Sequence, residues 1–436
     1  MATLAEPIER ESSLEAATMS RVSRRLIPLL FCLYIVCFID RTNVSIAALQ
    51  MNRDLAFSAA VYGLGAGIFF LGYALFEVPS NLLLARVGAR RWIGRIAITW
   101  GLLAVGMMFV RTAGSFYTMR FLLGVAEAGY FPGIVYYLSH WYPERRRARA
   151  ISRFAIGVPL AGGIGGPLGA TLLGLDGSQG LAGWQWLFLI EGIPAVLLGL
   201  VALRYLTDQP DDARWLTDAE RAWLAGRLAA EREASAALGH ATFRQALQSP
   251  TLWWLTAPYV LFAVANLALI LWLPLLLKAQ LAITDREIGW ILSLIGVAGA
   301  GAMLLIGASS DRRGDRIGHA AGALAVAAVG CVVAALAPQP LVAAAGIAVA
   351  VVSSTAFLPV FWCIPSTILR GTAAAGGIAL VNAIGNAGGF LGPNLLGQVK
   401  DATGSFSSGF LVLAGLTLLG AALMLRLRRR WSIDRR

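Results

Sequence analysis

Asp40 and Arg41 stand side by side in the middle of one apolar stretch, LLFCLYIVCFIDRTNVSIAAL, and Arg120 and Glu127 lie in another, MRFLLGVAEAGYFPG. A charged side chain at bilayer depth costs about 3 kcal/mol even on the lenient insertion scale, so intramembrane ionisable groups mark function. The chemistry open to them is specific. A buried carboxyl can take up and release a proton, with an affinity set by burial and by a nearby arginine. A guanidinium can grip a carboxylate through two parallel hydrogen bonds. Arg120 and Glu127 are seven residues apart, hence on one helix face and about 10 Å apart, too far for an i,i+4 pair. Glu127 is expected to carry the coupled proton. The plainer alternative is an interhelical ion pair, which is often no better than apolar packing. Asp40 and Arg41 point about 100° apart around their helix. Arg41 is expected to meet a substrate carboxylate, with Arg120 also binding. Asp40 is expected to be the counter-ion of Arg41 in the empty state and a second proton site.

The elements that must position these groups are read from the apolar pattern. Of 436 residues 58% are hydrophobic and 14% charged, against about 25% charged in a soluble domain. A stretch of roughly 20 apolar residues spans a bilayer. Twelve such stretches occur, at about 26–47, 59–84, 92–110, 116–138, 150–174, 185–205, 251–277, 287–308, 317–336, 341–366, 373–397 and 409–426. The reading is an all-α membrane protein of twelve transmembrane helices in two six-helix pseudo-symmetric bundles, 21–205 and 251–426. A disordered polar tail (1–20), a charged linker (206–250) and a basic tail (427–436) complete it. TDAE at Thr217 to Glu220 is a capping-box pattern before a short linker helix.

Of 36 Lys and Arg, 29 fall in the tails, the linker and the even-numbered turns, while Arg53, Arg111, Lys278, Arg286 and Lys400 fall on the other side. The positive-inside rule then puts both termini in the cytoplasm. The net charge of +12 is thus a topology signal and not a nucleic-acid footprint. Three His, four scattered Cys and no CxxC or HExxH suggest neither a metal site nor a disulfide framework.

The halves resemble each other. GGIGGP (Gly162 to Pro167) matches GGFLGP (Gly388 to Pro393), and AGYFP ending at Pro132 echoes TAFLP ending at Pro359. The offset places Asn266 opposite Asp40 and Ser354 opposite Glu127. The first half therefore carries charge where the second carries neutral polar groups, a division between proton handling and substrate hydrogen bonding. Candidates for a neutral substrate wall are Asn266, Trp272, Ser353, Ser354, Trp362, Asn382 and Asn386. Asn386 leads because it lies i,i+4 from Asn382 in a Gly-rich helix that permits close approach. Tyr73 points a phenol at the same cavity. Glu77, one turn on, suits gating or structure, and Glu191 suits packing or helix-end chemistry.

EVPSNLLLARVGARRW (Glu77 to Trp92), RFLLGVAEAGYFPG (Arg120 to Gly133), WYPERRRARA (Trp141 to Ala150) and IALVNAIGNAGGFLGP (Ile378 to Pro393) resemble the anion:cation symporter family of major facilitators. Within it the chain is similar to tartrate, hydroxyphenylacetate and related organic-acid permeases. The resemblance covers essentially the whole chain. It implies proton-driven uptake of a small organic anion across the bacterial inner membrane, with no cofactor beyond the proton gradient and with the monomer as functional unit. It also implies a gate at the turn between helices 2 and 3, here Arg86 and Arg90, and at Asp311 and Arg312 in the second half. Ala85 stands where many relatives carry the gate's Asp. The expected cycle is alternating access: protons load Glu127 and Asp40, freed arginine draws in the anion, and inward opening reverses both. The rivals are a facilitator or exchanger of aromatic or other monocarboxylates without proton coupling, a transport-inactive nutrient sensor, and an intramembrane enzyme. The last lacks any His or Cys constellation.

Overall fold

The computed structural model describes residues 5–236, 250–368 and 372–433. The first half runs α1 (Ala5–Asp54), α2 (Ala59–Val87), α3 (Ala89–Gly106), α4 (Ala113–Glu127), α5 (Tyr130–Ser139), α6 (Glu144–Ala155), α7 (Gly157–Leu173) and α8 (Gly183–Tyr205). The linker forms α9 (Asp218–Ala236). The second half runs α10 (Pro250–Gln280), α11 (Asp285–Arg313), α12 (Arg316–Leu336), α13 (Pro340–Ile368), α14 (Thr372–Thr403) and α15 (Phe406–Ile433). Among the described residues, 11 helical segments are long and apolar enough to cross a membrane. The remaining expected span is α14, rich in Gly and Asn, which packs between α2 and α10.

The repeat is exact enough to be read from helix bounds. A displacement of 226 residues carries α2 onto α11 end for end, and the last residue of α1 onto the last of α10. The matching Gly-rich motifs do matching work. α7 meets α11 where a Cβ on Gly166 would fall 3.0 Å from Leu292 Cβ, and α14 meets α2 where a Cβ on Gly67 would fall 2.6 Å from Phe390 O. Hydrogen bonds join the halves at mid-depth and at the end away from the termini. Ser293 Oγ donates to Gly163 O at 2.6 Å, and Tyr62 Oη to Leu271 O at 2.6 Å. At that same end the Asp401 carboxylate accepts from the backbone of Ala59 and Ala60 at 3.1 and 2.8 Å.

Two expectations are corrected. The polar tail 1–20 is not disordered over its described part: α1 runs through it, Thr18 and Met19 are buried, and Glu15 pairs with Arg146 at 2.6 Å. Met19, Val22 and Leu26 recur at helical spacing, a stripe that the polar composition around it hid. Residues 427–433 likewise continue α15. Second, the fourth and fifth spans are each broken. Gly129, at φ +81°, takes a left-handed conformation open to glycine and separates α4 from α5, while the α6–α7 break follows Ala155. The linker helix forms as its capping-box pattern predicts and packs against the first half. Its Thr217–Glu220 capping box forms (2.9 and 3.3 Å), Glu220 also binds Arg21 at 2.8 Å, and Leu224 and Leu228 are buried.

Candidate functional site

The site gathers on α1, α2 and α4. The Arg41 guanidinium pairs with the Glu127 carboxylate. Cys37, one turn before Arg41, donates its Sγ–H to the same Glu127 oxygen at 3.1 Å. Glu127 is fully buried, while the Arg41 side chain keeps 22% exposure, so the cation and not the carboxylate reaches accessible space. Three rings surround it: Phe38, Phe69 and Tyr73, at 5.4, 5.6 and 5.2 Å from ring centre to guanidinium carbon. That separation suits cation–π attraction. Phe69 also carries Arg120 on its face at 4.9 Å. Arg120 is fully buried and donates to Gly65 O and Ala66 O on α2 at 3.3 and 3.4 Å, with Nη1 unpartnered. Glu127 is the last residue of α4, directly before the Gly129 break. Broken helices inside a bundle are tolerated where they line a cavity or are packed in protein.

One assignment changes. Asp40 is not the counter-ion of Arg41; Glu127 is. The reason is the 100° step between neighbours on a helix. It turns Asp40 away from α4, towards Asn43, which donates to Asp40 Oδ1 at 2.9 Å, and towards Trp100 on α3. Arg120 and Glu127 do not pair with each other either, as their spacing required. Glu191 on α8 is 5% exposed, beside Asp40 and Asn43.

The second half differs from the expected wall. Ser354 is fully buried and its hydroxyl donates to Asn266 Oδ1 at 2.9 Å. The two residues that the repeat places opposite Glu127 and Asp40 thus tie α13 to α10. Trp272 is 1% exposed and its indole donates to Pro393 O at 3.1 Å. Trp362 and Ser353 are half-buried, Trp362 edge-on to Tyr259 at 5.0 Å. Asn382 is half-buried as well. Asn386 Nδ2 reaches Glu77 Oε2 across the halves at 3.5 Å, which joins a substrate candidate to a gating candidate. The other gate residues stay within their own halves. Arg86 is exposed, Arg90 holds Asp208 (backbone N to Oδ1 2.7 Å), and Asp311 lies 3.8 Å from Arg316 while Arg312 is exposed.

Cys37, Phe38, Phe69, Tyr62 and Asp401 were not singled out from sequence. Cys37 was findable, because it lies one helical turn from both Asp40 and Arg41. The rings carry no signal distinguishing them from ordinary apolar packing. Among the described residues no group of three or more His, Cys, Asp or Glu could hold a metal.

Two bundles related by a 226-residue repeat, with ionisable groups buried in one, define a membrane transporter. The family model of the Major Facilitator Superfamily matches residues 30–393 and 275–433, and the chain belongs to that superfamily; it is a multi-pass transporter, not an enzyme. A protein named "Putative tartrate transporter" from Agrobacterium vitis is 44% identical over 418 residues, covering 96% of this chain and 93% of the relative. A "Quinolone resistance transporter" from Acinetobacter baumannii is 40% identical, covering 94% of each. Among solved structures, a bacterial homologue of the human lysosomal transporter Spinster, inward-facing and occupied, superposes with a TM-score of 0.75 at 19% identity, over 93% of this chain and 96% of that one.

Proposed function

We propose that the chain is a proton-coupled symporter that imports a small organic anion across the bacterial inner membrane, with both termini in the cytoplasm. The observation that carries this is the pair itself: a buried Glu127 holds a partly accessible Arg41. Neutralising Glu127 by a proton removes the carboxylate that occupies the guanidinium. Arg41 is then free to bind a substrate carboxylate in the bidentate mode that guanidinium favours. Loss of the proton reverses the exchange and expels the anion. Proton and anion thus bind together or not at all, which is the requirement for symport. A ligand drives the cycle only through its different affinity for the two states. Asn382 and Asn386 on α14 supply neutral hydrogen bonds for hydroxyls, which favours a hydroxy-dicarboxylate such as tartrate, or a sugar acid. The name of the Agrobacterium relative supports that class.

A second reading of the substrate has its own support. Phe38, Phe69 and Tyr73 around Arg41 offer faces on which an aromatic acid could stack. The deciding experiment is uptake into proteoliposomes under an inward proton gradient, across labelled hydroxy, sugar and aromatic acids. Concentrative uptake of hydroxy acids, collapsed by a protonophore, supports the first reading; selective uptake of aromatic acids supports the second. Downhill uptake indifferent to the gradient would leave a facilitator.

A further inference from the structure

A cavity of about 350 Å³ lies apart from the transport site, between the N-terminal part of α1 and helix α6. Arg24, Ser20 and Ser23 line it from α1, and Arg146, Arg149 and Arg153 from α6. Its size falls within the range of small-molecule sites. The lining is a set of donors. A guanidinium only donates. The Tyr142 hydroxyl donates to Ser23 Oγ at 3.0 Å, which leaves the Ser23 O–H to be given elsewhere. Among the described residues no carboxylate lines the space. Glu15 holds Arg146 at 2.6 Å, while Arg24, Arg149 and Arg153 form no ion pair with any described residue. Three guanidinium charges thus converge on one cavity without compensation, and like charges so gathered repel. A ligand that suits this lining offers acceptors only and carries negative charge. A phosphate group does both, and arginine grips it through two parallel hydrogen bonds.

The position of the cavity selects the source of that phosphate. Arg146, Arg149 and Arg153 lie at i, i+3 and i+7, on one face of α6. The backbone stays helical through Ile156 (φ −59°, ψ −20°) into α7. The same spacing continues to Ile156 and Leu160, both exposed. A row of arginines therefore runs into a row of exposed apolar side chains on one membrane-spanning segment. That order of chemistries matches a lipid, a charged headgroup followed by an acyl chain. A soluble phosphate would use the arginines and leave the apolar row idle. With the termini in the cytoplasm the cavity lies at the cytoplasmic leaflet, where anionic headgroups attract basic side chains.

We propose that this cavity binds the phosphate of an anionic phospholipid headgroup, bridging α1 and α6, with an acyl chain along Ile156 and Leu160. The site is separate from the exchange at Arg41 and Glu127 and does not depend on proton coupling. Only the choice of leaflet rests on the orientation proposed above.

The test is native mass spectrometry of the full-length protein released from detergent micelles, with phosphatidylglycerol, phosphatidylethanolamine or inorganic phosphate added separately. The wild type is expected to retain phosphatidylglycerol several-fold more than the zwitterionic lipid. R149Q/R153Q should lower that retention at least about tenfold, through loss of charge-assisted contacts. R91Q/R313Q removes two exposed arginines elsewhere on the cytoplasmic side and should retain the lipid at the wild-type level. S20D, which sets a carboxylate among the arginines from α1, should weaken binding as R149Q/R153Q does, and it serves should that variant fail to fold. Equal retention in wild type and R149Q/R153Q would overturn the assignment. So would an equal loss in R91Q/R313Q, which would mark bulk charge attraction, or equal retention of the two lipids. Retention of inorganic phosphate in place of lipid would overturn the lipid and leave a site for a soluble anion. No transport is read, so failure of the symport reading would leave these outcomes unchanged.

Discussion

Glu127 and Arg41 show how much a single helical step decides. Asp40 and Arg41 are adjacent in sequence, and only their 100° separation assigns the two to different helices: Arg41 to Glu127 on α4, and Asp40 to the α3 and α8 side. The ionisable residues of the site were legible in sequence because intramembrane charge is rare and costly. Their pairing was not, because burial depth and helix rotation are properties of packing. R41K keeps the charge but loses the planar fork. Charge-assisted hydrogen bonds contribute about 1.5–3 kcal/mol, so the apparent affinity for the anion should fall about tenfold to a hundredfold, read as Kd by calorimetry on the purified protein. Unchanged affinity in R41K would remove Arg41 from the anion site. At the same scale, the Asn266–Ser354 hydrogen bond predicts an asymmetry. N266L/S354A, which replaces both polar partners by apolar ones, should fold and transport within a few-fold of wild type, since removing a matched pair is nearly neutral. Loss of substrate affinity in the double variant, with folding intact, would place these residues in the substrate wall.

Among the elements, α2 and α14 form the contact most open to testing. Their backbones meet because glycines face each other across it: a Cβ on Gly67 would meet Phe390 O, and one on Gly63 would come within 3.2 Å of Gly397 Cα. At the end away from the termini, Asp401 of α14 caps the N-terminus of α2, an arrangement that sets a carboxylate against the positive end of a helix dipole. The Ala60 N–H, with Ser58, Ala59 and Lys400, holds the Asp401 carboxyl below the ordinary carboxylate value. The sign follows. A depressed carboxyl keeps its bond above its free value and loses it only as pH falls through the lowered one. This latch therefore holds across neutral and mildly acid pH. D401N should loosen it, raising thiol labelling of an A60C reporter several-fold at neutral pH. Identical labelling in both backgrounds would show that Asp401 does not hold this end closed. Sequence reading found the Gly-rich motif in this helix but not Asp401, because capping another helix depends on the docking of two halves and leaves no local pattern.

For the whole molecule, the apolar pattern carried the architecture. Twelve spans, the linker helix with its Thr217–Glu220 cap and the internal repeat all emerge from periodicity and spacing, since each follows from local chemistry. What escaped were places where tertiary contacts override local character: the helical tail through Met19 and Val22, and the breaks after Glu127 and Ala155. The repeat gives the division of labour physical content. Where the first half carries Asp40 and Glu127 the second carries Asn266 and Ser354, joined by a neutral hydrogen bond, so only the first half has carboxyls there that can exchange a proton for a carboxylate. The most direct test of that central claim is substrate flux in proteoliposomes bearing E127Q, measured two ways. The account predicts that E127Q, permanently neutral at this position, abolishes concentrative uptake driven by a proton gradient while retaining exchange of labelled for unlabelled anion. Concentrative uptake persisting in E127Q at the wild-type level would contradict it.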